Sequence, residues 1–253
     1  MSTLRIDRHG WIYQVVAESA SLVESANVAG LATAQKAAKD SARLEADQDA
    51  ATSQAYQGSA TTVNGNIADT AAELNIRHCP SPNHDERVDK EAPYLLVIHN
   101  ISLPPYVFGG PYIEQLFTNS LEVDHHPFFK EIQHLRVSAH FLIRRDGEIV
   151  QFVSTDKRAW HAGVSSFEGR EVCNNFSIGI EMEGSDYAPY EAAQYTALAQ
   201  LSALLRQHYT LRAVRGHEHI APVRKTDPGP YFDWTRYRRE AGWTWRELPG
   251  LGK

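Results

Sequence analysis

From about residue 75 onward, apolar positions recur at spacings that define alternating strands and helices. Tyr94-Leu95-Leu96-Val97-Ile98 is a continuous apolar run of strand length that ends at His99, the pattern of a strand covered on both faces. Pro111 opens a short helix over 111–118, since its missing N–H costs nothing in a first turn. Ser138 to Arg145 and Glu148 to Val153 flank Asp146-Gly147, a strong hairpin signal. Phe176 to Met182 alternates, with Ile178, Ile180 and Met182 on one face and Ser177, Gly179, Glu181 and Glu183 on the other. Tyr195, Leu198, Leu201 and Leu205 lie at helical spacing within Glu191 to His208. A short strand over Ala213 to Gly216 and a last helix capped by Asp233 complete the pattern. Strands and helices interleaved in this way predict an α/β fold, a mixed central β-sheet flanked by helices.

The first part of the chain reads differently. Residues 17–60 hold 14 alanines among 44 positions, and large apolar side chains thin out after Leu31. Alanine favours helix, yet such a segment cannot bury a core of its own. We therefore divide the chain into an Ala-rich extension, 1–74, helical or disordered, and a catalytic domain, 75–253. A solvated stalk, a coil through which copies self-associate, and a disordered tail are the three readings of the extension. Eleven of the twelve histidines lie at residue 78 or later, which assigns the chemistry to the second part.

Composition narrows the function class. A net charge of −6 argues against a general nucleic-acid binder or a protein held on anionic membranes. No run of about 18 apolar residues is present to span a bilayer. Val15 to Ala34, with Ala32-Thr33-Ala34 as a notional cleavage site, fails as a signal peptide because Glu18 and Glu24 interrupt it. Two cysteines, Cys79 and Cys173, make no disulfide framework and suit a reducing compartment. The expectation is a cytoplasmic protein, or one released by another route such as lysis.

The densest chemistry is Arg215-Gly216-His217-Glu218-His219-Ile220-Ala221-Pro222, followed by Lys225-Thr226-Asp227-Pro228-Gly229-Pro230. Glycine and proline mark these residues as loop, where function concentrates on a rigid scaffold. His217 and Asp227, joined by His99 at the end of its strand, supply two imidazoles and a carboxylate. That set leaves a fourth zinc position open, as catalytic sites do. His219 competes with His217 for the metal, and we favour His217. The same ligands suit non-haem iron, but nothing points to an oxo-acid co-substrate, so Zn2+ is the expected cofactor. Glu181 reads as a general base on an otherwise apolar strand. Its structural alternative is a pair with Arg144 or Arg158. Lys225 reads as a cation that stabilises an oxyanion, against the alternative of a solvated surface lysine. His125, His126, His134 and His140 read as structural or hydrogen-bonded histidines.

Five stretches resemble, in matching order, the zinc-dependent N-acetylmuramyl-L-alanine amidases, and among them the cytoplasmic enzymes that act on 1,6-anhydro muropeptides in cell-wall recycling. They are His99-Asn100-Ile101-Ser102-Leu103-Pro104-Pro105, the run His134 to Asp146, Lys157-Arg158-Ala159-Trp160-His161-Ala162-Gly163, Phe176-Ser177-Ile178-Gly179-Ile180-Glu181, and the loop around His217 and Asp227. The resemblance spans about Asn75 to Arg239 and leaves the extension uncovered. It implies an amidase-like sheet fold, shared with peptidoglycan-recognition proteins, with zinc held by His99, His217 and Asp227. Glu181 and Lys225 would then be catalytic, and Asn100, Trp160, His161 and Arg136 would contact a small muropeptide substrate. One position departs from the pattern: Phe128 stands in His126-Pro127-Phe128-Phe129 where the family often has tyrosine, and it donates no hydrogen bond.

Two other functions stay in view. A lytic amidase acting on polymeric peptidoglycan would use the same chemistry, with the extension as a targeting or oligomerising module. A non-catalytic peptidoglycan-binding module would be expected to lack a ligand that this sequence retains.

Overall fold

A computed structural model describes residues 2–16 and 74–250. The readings of the Ala-rich stretch as stalk, coil or tail, and of self-association through it, lie outside the described residues. The first element is a hairpin of β1 (Ser2–Ile6) and β2 (Ile12–Val16). The central sheet follows, built from β3 (Ile76–His78), β4 (Leu95–Ile101), β5 (Phe141–Ile143), β6 (Ile149–Gln151), β7 (Ser177–Glu183) and β8 (Ala213–Gly216). Its spatial order is β8-β4-β7-β5-β6-β3. Strands β8, β4, β7 and β5 run parallel, and β6 turns back against β5 through the Asp146-Gly147 turn. The sheet is therefore mixed, with helices packed on both faces, as the patterning predicts.

The helices are α1 (Tyr112–Phe117), α2 (Pro127–Ile132), α3 (Ala192–His208), the single turn α4 (His217–Ile220) and α5 (Trp234–Ala241). Ile178, Ile180 and Met182 of β7 bury against Tyr195, Leu198, Leu201 and Leu205 of α3, with Tyr237 and Trp243 closing the same core. On the other side Leu142, Val150 and Phe152 pack on Ile113, Phe117 and Phe129 of α1 and α2. Each such large side chain contributes about 1.5–3 kcal/mol by leaving water, so the two cores fix the sheet between them. Helix α2 has no counterpart in the sequence reading; His126 caps it, its Nδ1 accepting from Phe128 N at 3.2 Å.

The hairpin, grouped with the extension on sequence, joins the domain. Gly10 is the reason. Its φ is +74°, and a Cβ there would lie within 2.8 Å of Ser154 Oγ, Asp156 N and Thr155 N. Its bare backbone lets the Gly10 carbonyl accept from Thr155 N at 3.0 Å and from Gln151 Nε2 at 2.8 Å. Ile12 is buried beside it, its N–H donating to Gln151 Oε1.

Candidate metal and catalytic site

Ligand sites in open parallel sheets form at the carboxyl ends of the strands, and the register here places the chemistry there. His99 of β4 pairs with Glu181 of β7, so the two side chains project on one face. Gly216 of β8 pairs with Ile98, which delivers His217, the next residue, to the far side of His99. The order across the sheet is thus His217, His99, Glu181. Asp227 arrives on the loop after α4, where its carbonyl accepts from Glu218 N at 2.9 Å.

His99 Nδ1 lies 3.0 Å from His217 Nδ1 and 3.0 Å from Asp227 Oδ2, and His217 Nδ1 lies 3.1 Å from the same oxygen. Three ligand atoms at the corners of a nearly equilateral triangle fit a metal. Bonds of 2.0–2.1 Å at tetrahedral angles put ligand atoms about 3.3 Å apart, a few tenths wider than seen. The outer hydrogen bonds agree. His217 Nε2 donates to Ala162 O at 3.0 Å, because a carbonyl can only accept, which leaves Nδ1 as the ring atom to face the triangle. Burial pushes His99 down to about 4, partly offset by its hydrogen bond to Asp227, which keeps the ring neutral near pH 7. Two imidazoles and a carboxylate converging on one point make a cation's donor set, with an open side toward the cleft.

Behind His99 stands His161. His99 Nε2 and His161 Nδ1 are 2.9 Å apart, and His161 Nε2 is 3.2 Å from Ser177 Oγ. With His99 Nδ1 turned to a cation, the chain runs one way: Nε2–H of His99 to His161, then Nε2–H of His161 to Ser177. The ring fits only because residue 179 is glycine, since a Cβ there would sit 2.4 Å from His161 Cγ. Asn174 holds the same loop, its Oδ1 accepting from the N–H groups of His161 and Ala162 at 3.2 and 2.8 Å. Beneath them Arg87 is buried, with no carboxylate paired to it among the described residues. It donates to the carbonyls of Thr155, Asn174, Asn175 and Ser177. Burial pushes its guanidinium down to about 10. Neither Asn174 nor Arg87 carries a local sequence signal, because their partners lie on other segments.

Glu181 is buried, and its Oε2 has no hydrogen-bond partner among the described residues. Burial, reinforced by the Asp227 charge and opposed by Lys225, pushes its carboxyl well above the usual range. The structural alternative fails: Arg158 pairs with Asp85, and Arg144 with Glu114 and Glu183. Glu183, two residues on, is also buried, not exposed. Its carboxylate accepts from Gly109 N at 2.7 Å, Arg144 Nη1 at 3.2 Å and Arg145 N at 3.2 Å, fastening the loop beside the cleft.

These groups open into a cleft of about 700 Å³. Asn100, Trp160, His161 and Lys225 line it, and Asn100 Nδ2 donates to Asp186 Oδ1 at 2.8 Å. Phe128 belongs to an apolar wall with Leu116, Phe117, Ile132 and Val137. Two sequence candidates stand elsewhere. Arg136 is exposed, spends Nη1 on the carbonyls of Gln133 and Leu135 at 3.1 Å, and is not among the cleft-lining residues. His219 turns away from the triangle, its Nδ1 accepting from Gly216 N at 3.0 Å and its ring set against Trp234. His140 is buried and hydrogen bonded to Gly179 N and Lys157 O.

Comparison with known proteins agrees with this geometry. A family model described as N-acetylmuramoyl-L-alanine amidase matches residues 89–230. The chain is 62% identical over 167 residues to the 1,6-anhydro-N-acetylmuramyl-L-alanine amidase AmpD of Salmonella typhimurium (strain SL1344), spanning 65% of this chain and 89% of that protein. It is 61% identical over 167 residues to AmpD of Escherichia coli (strain K12), spanning 65% of this chain and 91% of the relative. Among solved structures, the crystal structure of a selenomethionine AmpD derivative superposes with a TM-score of 0.64 at 58% identity, covering 67% of this chain and 94% of that one.

Proposed function

This chain belongs to the N-acetylmuramoyl-L-alanine amidase family, and from that premise we propose that it hydrolyses the amide between the lactyl group of 1,6-anhydro-N-acetylmuramic acid and L-alanine in soluble muropeptides, in the recycling of peptidoglycan. The high identity to AmpD proteins, across 89% and 91% of their length, supports this substrate class. The triangle of His99, His217 and Asp227 is the observation that carries the chemistry.

We assign those three residues to Zn2+. When bound there, zinc supplies a Lewis acid that polarises the scissile carbonyl and acidifies water. The remaining work falls to side chains. Glu181, with an unpartnered oxygen beside the triangle, accepts the proton of the attacking water and delivers it to the alanine nitrogen as the C–N bond breaks. Its raised affinity for a proton suits both halves of that transfer. Lys225, on the cleft wall, opposes the negative charge that develops on the carbonyl oxygen. Asn100 and Trp160 hold the substrate, and His161 fixes the orientation of His99. We place the reaction in the cytoplasm, where both free cysteines, Cys79 and Cys173, would stay reduced. Among the described residues no helix is long and apolar enough to cross a membrane.

The test is to supply equal amounts of peptide as soluble anhydro-muropeptide and as intact sacculi, and to measure peptide release. Rapid release from the soluble substrate with little from sacculi is expected. Strong digestion of sacculi would establish the lytic reading instead.

A further inference from the structure

Two of the three metal-facing groups are imidazoles, and both are steadied from behind by one short piece of chain. His161 Nδ1 lies 2.9 Å from His99 Nε2, and the carbonyl of the next residue, Ala162, accepts from His217 Nε2 at 3.0 Å. Arg224 Nη2 donates to the same carbonyl at 3.0 Å. Whatever fixes residues 161 and 162 therefore fixes the direction of two ligands at once.

These two residues lie in no strand or helix. The antiparallel pairing of residues 157–159 with 84–86 ends at Ala159. Trp160 is tied to Ser138, its N–H donating to the hydroxyl at 3.0 Å and its carbonyl accepting from Ser138 N at 3.2 Å. Beyond that point the chain turns away at Gly163, whose φ is +57°. The N–H groups of His161 and Ala162 donate to one acceptor, Asn174 Oδ1, at 3.2 and 2.8 Å. An oxygen that accepts from two consecutive amides holds both residues through a single point.

Asn174 is itself built in. It sits in the single turn Cys173–Asn175 just before β7 and is 8% exposed. Val172, which opens that turn, has φ +57° and ψ +63°, a left-handed conformation that a β-branched residue adopts only under constraint. The constraint comes from Ser165, whose carbonyl accepts from Val172 N at 2.9 Å and whose hydroxyl accepts from Cys173 N at 3.2 Å. From beneath, Arg87 donates to the carbonyls of Asn174 and Asn175 at 3.4 and 3.1 Å, and to that of Ser177 at 2.9 Å. The strained turn and the buried guanidinium have one shared result: they hold the Asn174 amide against the loop behind the metal site. Asn174 is not among the cleft-lining residues, so its effect passes through its neighbours.

Resting on the assignment of zinc to His99, His217 and Asp227, we propose that Asn174 is a positioning residue for both metal histidines, acting through the His161 side chain on His99 and through the Ala162 carbonyl on His217. The role belongs to its Oδ1, an acceptor, and not to the bulk of the side chain. One residue outside the cleft thus sets the aim of two ligands that come from different strands.

The experiment measures Zn2+ affinity by competition with a chromogenic chelator, and the visible spectrum of the Co2+-loaded protein, which reports ligand geometry. It compares the wild type with Asn174→Leu, which keeps the size and removes the acceptor, and Asn174→Asp, which keeps both. Asn174→Leu should weaken zinc about 10–100-fold and shift the Co2+ bands, while Asn174→Asp should leave affinity and spectrum close to those of the wild type. In a His161→Ala background, Asn174→Leu should still weaken zinc about tenfold, because the path through Ala162 to His217 remains. Unchanged affinity in Asn174→Leu would overturn the positioning role, and so would an equal loss in the Leu and Asp variants, which would make Asn174 a packing residue. No further loss in the His161→Ala background would overturn the double action and confine Asn174 to His99. Should Asn174→Leu fail to fold, Asn174→Asp decides: wild-type zinc affinity upholds the acceptor role, and a misfolded or weakly binding protein overturns it. A folded wild type that takes up no zinc would overturn the ligand assignment itself, and the positioning role with it.

Discussion

Gly179→Ala is a one-methyl test of the metal site's support. The added Cβ would lie 2.4 Å from His161 Cγ and 2.6 Å from its Cδ2 and Nδ1, each about 1 Å inside ordinary contact. The strand cannot retreat. Gly179 pairs with Val97 on one side, and on the other its N–H donates to His140 Nδ1 at 3.0 Å while its carbonyl accepts from His140 N at 3.1 Å. The His161 ring must therefore move, giving up its 2.9 Å contact with His99 Nε2 and its 3.2 Å contact with Ser177. Gly179 is not among the positive-φ glycines, so the cost is steric and not conformational. Overpacking of this kind costs about 1–3 kcal/mol, offset by roughly 0.4–1 kcal/mol from the stiffer unfolded chain. A net loss of about 1–2 kcal/mol lowers Tm by roughly 2–8 °C in a domain of this size. Zinc affinity should fall about 10–100-fold, the usual effect of removing a partner that orients a metal-bound histidine. Competition with a chromogenic chelator reads the affinity, and thermal unfolding of the metal-free protein reads the stability. Adding His161→Ala removes the clashing ring, so the stability cost of Gly179→Ala should vanish in that background. Unchanged zinc affinity in Gly179→Ala would refute the orienting role of His161. A stability cost that persists in the double variant would refute the clash.

Three further outcomes follow from the same geometry. Glu181→Gln keeps the side-chain shape and removes the base, so kcat should fall about 10²–10⁴-fold with zinc content unchanged; near-normal turnover would end the assignment. Asp227→Ala removes one corner of the ligand triangle, and the purified variant should hold no zinc by elemental analysis, full occupancy being the contrary result. Hydrogen bonds from Arg77, opposed by burial and reinforced by Arg144, hold the Glu114 carboxyl down to about 2 from an ordinary 4.5. A depressed folded-state value stabilises fully above about 4.5 and is lost as pH falls through 2. With the Arg77 side chain 40% exposed, we take about 1–2 kcal/mol rather than the full shift. Glu114→Gln should thus lower the urea midpoint at pH 6 and match the wild type near pH 2; equal midpoints at pH 6 would contradict it.

Much of this arrangement is legible in the sequence because it depends on local pattern. The apolar run to Ile98 and the alternation through Met182 give two central strands with His99 and Glu181 on them, and the spacing of His217 and Asp227 fits a loop that bends back. What escapes the sequence is pairing between distant segments. Near the end of its strand, Glu183 reads from sequence as either a support behind the site or an exposed residue, and pairing with Arg144, Arg145 and Gly109 from two other segments buries it. His161 reads as a cleft residue, which it is, but its second role behind His99 depends on the register that brings glycine to position 179. Arg136 reads as a carboxylate partner, while the turn after α2 directs it to its own backbone carbonyls. Residues 2–16 offer only a short alternating pattern around Gly10, and the hairpin becomes necessary only once Ser154, Thr155 and Gln151 provide its seat.

The most direct test of the central claim is mass spectrometry of a soluble anhydro-muramyl tripeptide incubated with the protein as purified, after chelation, and after zinc is restored. Free tripeptide should appear with the purified enzyme, stop on chelation and return with zinc. A folded, zinc-loaded protein that leaves the muramyl–alanine amide intact would contradict the account, as would cleavage that chelation does not touch.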